Sequence, residues 1–241
     1  MCTVSYIPIK KTGGFVLTSN RDEKFFRPTL VPQVYNFENR KLVFPKDEKA
    51  GGSWIAMNDN GRLCCLLNGA FEAHEKKPVY SQSRGNILVE AASSLKKPEQ
   101  FFAEKNLTGV EPFTIITVEE NENNVGHFSE FIWDGGRKHL RSLNPEEPYI
   151  WSSVTLYSVE HRNLREQWFS SFLLNLNANI SHESILGFHS DSHTGDNSIN
   201  VVMKRKGGLK TVSITQVVNE KGKFRMNYFD LHNQLNTAIS I

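Results

Sequence analysis

The residues of this chain that are best suited to chemistry lie near its start. Cys2 follows Met1 directly, so removal of Met1 would leave one residue carrying both a thiol and a free α-amine. A thiol has an ordinary pKa of about 8.5 and an α-amine one of about 7.7–8.0, so the amine can accept the thiol proton near neutral pH. Cys2 is therefore a candidate nucleophile with its own amine as base. The structural alternative is a strand that contains a small buried cysteine.

A polar segment and a single asparagine elsewhere in the sequence supply the side chains that such a nucleophile needs. Asn20-Arg21-Asp22-Glu23 supplies a carboxylate and a cation, and Asn68 supplies an amide donor. An activated thiol needs a base and a nearby charge, and acyl transfer needs donors for the developing oxyanion. The polar run is also compatible with surface ion pairs, and Asn68-Gly69 with a plain turn.

The hydrophobic pattern predicts elements that would bring these groups together. Residues 2–9 and 15–18 predict a hairpin whose second strand leads into the polar run beside Cys2, and Asn68 follows a strand at 62–67. Apolar residues recur at the spacing of an amphipathic helix most clearly after Ser83 and over residues 159–176. Further predicted strands lie at 42–44, 54–57, 113–118, 131–133, 138–140, 149–157, 199–203, 211–218 and 224–229, with short helices from Pro98 and over 181–188. Strands and grouped helices in this order predict an α+β fold in layers, with residues 1–241 as a single domain.

Composition limits the classes of partner. The chain has 28 basic and 26 acidic residues among 241, a net charge of +2, which gives no broad electrostatic footprint for nucleic acid or an anionic membrane. No apolar stretch approaches the length of a membrane span, and the start lacks the layout of a signal peptide. Cys2, Cys64 and Cys65 form no zinc motif, and the adjacent pair is poorly placed for a disulfide. We therefore expect a cytoplasmic protein without a membrane span.

Four segments in the first 70 residues carry a family resemblance. Met1-Cys2-Thr3, the run 17–23 ending in Asn-Arg-Asp-Glu, Gly51-Gly52-Ser53-Trp54 and Leu66-Leu67-Asn68 resemble the NRDE family, that of the transport and Golgi organisation 2 proteins. The chain is more distantly similar to choloylglycine hydrolases, which include bile salt hydrolases and penicillin V acylases. This resemblance implies an N-terminal-nucleophile fold, a four-layer αββα sandwich, and cleavage of a non-peptide amide through a thioester.

The resemblance also assigns roles to residues. Cys2 would be the nucleophile, Asp22 would hold its amine and Asn68 would donate to the oxyanion. Arg21 is a further catalytic candidate, but neighbours in a strand face opposite ways, so Arg21 and Asp22 reach Cys2 together only if a bulge or strand end re-aims one of them. Asn20 and Glu23 are candidate binding residues. Ser153 and Asn197 stand where the acylases have a second Asn and a late Arg, and neither reproduces that chemistry.

Two functions remain open from the sequence. One is a Cys2-centred hydrolase for a small amide or related acyl substrate, with no cofactor and no metal. The other is a non-catalytic protein that binds or carries a small apolar ligand, such as haem or a lipid, in the same cleft. The His189, Asp191, His193 and Asp196 side chains are of metal-ligand types, but their spacing matches no known motif. The oligomeric state is left undetermined.

Overall fold

The computed structural model describes residues 3–10, 13–37, 39–121, 124–176, 180–220 and 222–241. Cys2, the candidate nucleophile, lies outside the described residues. The described part forms β1 (Thr3–Ile9), β2 (Gly14–Lys24), β3 (Thr29–Phe37), β4 (Arg40–Asp47), β5 (Ile55–Asn58), β6 (Arg62–Asn68), α1 (Arg84–Ser93), α2 (Pro98–Glu104), β7 (Phe113–Asn121), β8 (Asn124–Trp133), β9 (Lys138–Ser142), β10 (Tyr149–Ser152), α3 (Val159–Asn175), α4 (His182–Ser190), β11 (Leu209–Glu220), β12 (Lys223–Asp230) and β13 (Leu235–Ser240).

The strands form two sheets. The first has the strand order β10-β1-β2-β11-β12-β13 and the second the order β3-β4-β5-β6-β7-β8-β9, and the described neighbouring strands pair antiparallel. Helices α3 and α4 pack on the outer face of the first sheet, and α1 and α2 on that of the second. The fold is therefore the α+β four-layer αββα sandwich that the resemblance implied.

Strand alternation separates the apolar side chains into three layers. Tyr6 and Leu17 point between the two sheets, whereas Ile7 and Val16 point to the helices α3 and α4. Because successive side chains of a strand face opposite sides, these four residues fix the facing of all later residues in β1 and β2. Odd-numbered positions of β2 face the second sheet and even-numbered positions face the helices.

The first hairpin brings the polar run to the start of the chain. Strand β2 does not end at residue 18 as its hydrophobic pattern predicted, but continues through the polar run to Lys24, because β11 pairs with it as far as Leu209 opposite Lys24. Thr3 lies opposite Asn20 on one side and Ser152 of β10 on the other. Thr3, where β1 begins, is thus paired one residue before Arg21 and two residues before Asp22 of β2.

A second hairpin places Asn68. Strands β5 and β6 are joined by the predicted turn at Asn60-Gly61, where Gly61 has a φ of +80°, a conformation that glycine adopts without strain. Strand β6 pairs with β7 along its whole length and ends at Asn68, opposite Phe113. Gly69 follows with a φ of +88°, a left-handed conformation that ends the extended strand.

The predicted strand at 199–203 is wrong. This segment is irregular although Val201 and Met203 are buried, because several of its backbone groups bond to side chains. It meets the backbone of β11 at its end, where the Met203 carbonyl accepts from the Thr211 N–H at 2.9 Å. The carbonyl of Val201 accepts from the Asn20 amide, and the N–H of Met203 donates to the Thr211 hydroxyl. Buried apolar residues that form no regular ladder thus resembled a strand in the sequence.

Other boundaries differ from the prediction by several residues. The predicted strand 149–157 stops at Ser152, since the chain turns after Ser153 and the N–H of Tyr157 bonds back to the Ser153 carbonyl. Strand β13 was not predicted, because its exposed residues lack a hydrophobic alternation strong enough to be seen. No helix in the described ranges is both long and apolar enough to cross a bilayer.

Candidate functional site

Asp22 lies on the helix-facing side of β2 and is held by two hydroxyl groups. The Tyr157 hydroxyl donates to Oδ2 at 2.8 Å, and the Thr211 hydroxyl donates to Oδ1 at 2.6 Å. The residue is only 5% exposed. Both oxygens of the carboxylate are thus fixed in direction, which is what a residue that orients a reacting group needs.

Arg21 faces the other way, between the sheets. Its guanidinium donates to the Asp47 carboxylate at 2.7 Å and to the Thr29 hydroxyl at 2.9 Å, and lies 4.5 Å from the ring centre of Trp54. The register shift beside this pair is in β11, between Thr211 and Ser213, and does not re-aim the side chains of β2. Arg21 therefore bonds to the second sheet while Asp22 bonds to the helix side.

A polar cavity of about 230 Å³ lies at the end of β2, and we call it the charged cavity. It is lined by Arg21, Asp22, Glu23, Arg27, Asp47, Ala50, Gly52, Ser53, Trp54, Leu66, Asn68, Lys76, Ser83, Arg84 and Gly85. Three residues predicted as catalytic, Arg21, Asp22 and Asn68, therefore border one space although they come from both sheets. Glu23 also lines it, with its carboxylate 3.3 Å from Arg27.

The Gly-Gly-Ser-Trp segment forms one wall of this cavity through a close backbone contact. A Cβ atom on Gly52 would lie 2.4 Å from the carbonyl carbon of Gly85, the second residue of α1. Ser53 continues the contact, since its N–H donates to the Gly85 carbonyl at 3.3 Å. Glycine is required at position 52 because the helix start lies against it.

The arginines that line the charged cavity are paired with carboxylates. Asp47 binds both Arg21 and Arg27, each at 2.7 Å, and burial of Asp47 opposes its ionisation. The Ala50 N–H and the two guanidinium groups outweigh that burial and hold the pKa of Asp47 below its usual value. Arg27 is also paired with Glu23, so two carboxylates and two arginines form one ion-pair network on this side of the cavity.

A second cavity adjoins the first at Asn68, and we call it the tryptophan cavity. It measures about 340 Å³ and is lined by Leu67, Asn68, Gly69, Ala70, Phe71, Thr114, Glu130, Ile132, Arg141, Ile150, Trp151, Ser152, Ser153, Val154, Arg162 and Glu166. The Ser153 hydroxyl donates to the Asn68 carbonyl at 2.8 Å, and the Trp151 indole donates to Glu130 at 2.8 Å. The structure thus brings Ser153 to Asn68.

Asn20 and Asn197 do not line either cavity. Asn20 is fully buried and its amide donates to the carbonyls of His189 and Val201, each at 3.0 Å. Asn197 lies in the loop after α4, where its side-chain oxygen is 3.4 Å from the Asn200 amide. Among the candidate binding residues, the structure therefore brings Glu23 and Ser153 to the cavities and places Asn20 and Asn197 elsewhere.

Several residues next to the site were not identified from the sequence. Tyr157 and Thr211 hold Asp22, and Arg165 of α3 donates to the hydroxyl of Thr3, the residue after Cys2. Arg165 is fully buried, although the apolar stripe of its helix predicted only its neighbours as core. The sequence signal for this burial was the position of Arg165 between apolar residues of the helix.

Cys64 and Cys65 are poor competitors for a nucleophilic role. Both are free, fully buried thiols in β6. Burial raises the pKa of Cys64 to about 11 and that of Cys65 to about 12, so both are protonated at neutral pH. Within the described ranges, no group of three or more His, Cys, Asp and Glu side chains is arranged to hold a metal ion.

The fold is shared with solved structures of N-terminal-nucleophile hydrolases. The chain is similar to the Caenorhabditis elegans N-acylethanolamine-hydrolyzing acid amidase ortholog at a TM-score of 0.61, covering 92% of this chain and 93% of that one. It is also similar to a variant of conjugated bile acid hydrolase from Clostridium perfringens (TM-score 0.56, covering 99% and 92%) and to penicillin V acylase from Agrobacterium tumefaciens (0.60, covering 100% and 86%). The sequence identity is 12% in each case, so these similarities define the class of fold.

The chain belongs to the transport and Golgi organisation 2 family. The sequence model of that family matches residues 1–224, almost the whole chain and all of the segments that carried the resemblance. No curated protein sequence matched the chain.

Proposed function

We propose that this protein is a Cys2-dependent N-terminal-nucleophile hydrolase that cleaves a small non-peptide amide or a related acyl compound. The observation that carries the proposal is the position of Asp22 and Asn68 on one cavity beside the start of β1. Consecutive Cα atoms are about 3.8 Å apart, so a thiol on residue 2 can act only close to Thr3 and its partner Asn20. Asp22 is two residues further along β2.

The proposed reaction uses the two groups of residue 2 and the side chains around it. The amine takes the thiol proton, and the thiolate attacks the carbonyl carbon of the substrate. The C–N bond then breaks, and the leaving amine takes that proton. Water hydrolyses the resulting thioester and restores the thiol. Asn68 donates to the oxygen that becomes negative, and Asp22 orients the α-amine.

The substrate class follows from the two cavities that meet at Asn68. The tryptophan cavity offers Trp151, Ile132 and Ile150 as apolar lining, and the charged cavity offers cations and carboxylates. A substrate with an apolar acyl group and a polar amine group would place its amide at the junction. The structurally similar enzymes are named for N-acylethanolamines, conjugated bile acids and penicillin V, so those three compounds are the first panel to assay.

Binding without turnover is the second candidate function. The pairing of Arg21 with Asp47 favours it, because this pairing turns the charge of Arg21 away from the side of the sheet on which Asp22 lies. A carrier of a small apolar ligand, haem-like or lipid-like, would use the same two cavities and would need no activated thiol.

Two measurements distinguish these functions. Intact mass spectrometry of the protein purified from cells shows whether Met1 is removed, and retention of Met1 would exclude the α-amine mechanism. A thiol-directed acyl probe should label Cys2 much faster than Cys64 or Cys65, whose pKa values are raised by burial. The matched controls are Cys2→Ala, which should abolish fast labelling, and Cys65→Ala, which should leave it unchanged. Equally slow labelling of all three thiols would support the carrier instead.

A further inference from the structure

Two adjacent phenylalanines are exposed at the turn between β2 and β3. The side chain of Phe25 is 47% exposed and that of Phe26 is 69% exposed. Their rings lie 5.4 Å apart, edge to face. Large apolar side chains that stand together on a surface mark a site of contact with another molecule more often than single ones do.

Two neighbouring turns support these rings. The Phe25 N–H donates to the Gly208 carbonyl at 3.1 Å, and a Cβ on Gly208 would lie 2.9 Å from the Phe25 ring, so the glycine lets the ring pack there. On the other side, the Phe25 ring lies 6.0 Å from that of His232, in the turn between β12 and β13. Leu231 of that turn is 38% exposed. The three turns form one apolar projection at this end of the first sheet.

Basic side chains surround the projection. Lys24 donates to the Gly207 carbonyl at 2.7 Å, and Lys210 donates to Nδ1 of His232 at 3.1 Å, so both ammonium groups are held at the turns. Lys206 is exposed in the same segment as Gly207. We call Phe25, Phe26, Leu231, Lys24, Lys206 and Lys210 the aromatic-basic patch.

The nearby carboxylates are occupied by local bonds. Asp230 accepts from the backbone N–H groups of His232 and Asn233, each at 2.8 Å, and from the Asn233 amide. Glu23 accepts from the Lys24 N–H and from Arg27. These bonds leave the charge of Asp230 in place, but Glu23 is paired with Arg27 and the three lysines outnumber Asp230, so the patch is positive although the net charge of the whole chain is only +2.

We propose that the aromatic-basic patch docks on the surface of an anionic lipid bilayer. Exposed aromatic rings enter the boundary between head groups and acyl chains, and lysines are drawn to anionic lipid within a Debye length of the surface. Lysine is depleted in protein interfaces, so three lysines around an apolar tip favour a membrane over a protein partner. This is peripheral binding and requires no spanning segment.

Docking would bring a ligand cavity to the bilayer. Arg27, two residues after Phe25, lines both the charged cavity and a separate cavity of about 240 Å³ beside the phenylalanines. An amphiphilic ligand that leaves the membrane at the patch would therefore enter close to Arg21 and Asp22. The docking itself is independent of any reaction at Cys2.

Vesicle flotation of the full chain tests the proposal. The protein should float with vesicles of phosphatidylcholine mixed with phosphatidylserine and much less with phosphatidylcholine alone, and added salt should weaken binding. Phe25→Ser with Phe26→Ser should lower binding by roughly tenfold or more. Lys206→Gln with Lys210→Gln should lower it by about fivefold for each lysine, on the anionic vesicles only.

Matched controls change equally exposed residues elsewhere. Leu174→Ser on α3, where Leu174 is 78% exposed, and Lys97→Gln with Lys223→Gln should bind as the unchanged protein does. Circular dichroism melting of each variant shows whether it is folded. Absence of vesicle binding by the unchanged protein, or equal binding by the Phe25/Phe26 variant, would overturn the proposal. Self-association in sedimentation that depends on the phenylalanines, without vesicle binding, would assign the patch to protein contact instead.

Discussion

The guanidinium of Arg165 lies 3.6 Å from the ring centre of Tyr157, and both residues are buried. The Tyr157 hydroxyl donates to Asp22, while Arg165 donates to the Thr3 hydroxyl and to the carbonyls of Ile199 and Asn200. In the described part of the chain, the hydrogen-bond acceptors of this arginine are thus uncharged oxygens, and its positive charge is retained beside the start of β1. Helix α3 therefore supports Asp22 and Thr3 through one stacked pair.

Removal of the Tyr157 hydroxyl should weaken the support of Asp22. Tyr157→Phe keeps the ring under Arg165 but deletes a hydrogen bond to a buried carboxylate, which should lower the free energy of unfolding by about 2 kcal/mol. Labelling of Cys2 by an acyl probe should slow in the same variant. Urea unfolding and labelling rates measure the two effects. Tyr80→Phe, which changes an exposed loop contact, is the control, and an equal loss in both variants would argue against the role of Tyr157.

Replacement of the Asn68 side chain should reduce acyl transfer without unfolding the protein. Asn68→Ala removes the proposed oxyanion donor, and loss of one such donor typically lowers kcat by about 10²–10³-fold. The hydrogen bond from Ser153 goes to the Asn68 backbone carbonyl, so it survives the change. The rate of Cys2 acylation and the melting temperature check this. A variant with a normal acylation rate would remove Asn68 from the mechanism.

Stability should fall in mild acid because of His189. Burial first, and then the charge of Arg165, lowers the pKa of this imidazole to about 3. Nδ1 lies 2.5 Å from Oδ1 of Asn20, an acceptor, so Nδ1 carries the proton, and Nε2 lies 2.7 Å from the Ser5 hydroxyl. The ring is therefore neutral in the folded protein.

The direction of the pH effect follows from proton binding. Between the unfolded pKa of about 6.5 and the folded value of about 3, the unfolded chain binds more protons at position 189, so stability falls as the pH falls through this window. The loss from His189 should reach roughly 2 kcal/mol at a pH of about 5. Urea unfolding at several pH values measures it. His189→Gln should lose this component, whereas exposed His182→Gln should keep it; the same slope in His189→Gln would contradict the assignment.

Asp47 should contribute stability at neutral pH through its two arginines. Asp47→Asn leaves Arg21 and Arg27 without their shared charge, which should cost on the order of 3 kcal/mol in free energy of unfolding. Since the folded pKa of Asp47 is lowered, its contribution is present above the unfolded pKa of about 3.8 and is lost as the pH falls through the lower, folded value. The difference between variant and unchanged protein should thus shrink only in strong acid. Asp59→Asn, on an exposed turn, should change little.

The sequence was sufficient for a layered α+β fold and for most strands, because β1, β5, β6, β7 and β11 contain runs of apolar and β-branched residues bounded by turn signals. Asp22 and Asn68 were also identified from the sequence, because they lie in the segments that resemble the family. The facing of Arg21 could be derived from the strand period, but its partner could not, because Asp47 is distant in the sequence and lies in the other sheet. Long-range pairs of this kind leave no local pattern.

Residues that act through buried hydrogen bonds were the ones missed. Tyr157, Thr211 and Arg165 lie in a turn, a strand and a helix whose sequence patterns concern only packing. Asn20 was the opposite case, since its place in the polar run indicated a ligand contact, whereas its amide holds the irregular segment at Val201. Polarity alone does not separate a site residue from one that satisfies buried backbone.

The backbone contact between Gly52 and Gly85 restricts which positions of the charged cavity can accept a larger side chain. There is no space for even one methyl group at Gly52, so a side chain at this position would push the start of α1 away from the charged cavity. Substitutions that alter the lining while keeping this contact are available at other positions, such as Glu23, Ala50 and Lys76. A search for altered specificity by mutagenesis would be best confined to those positions.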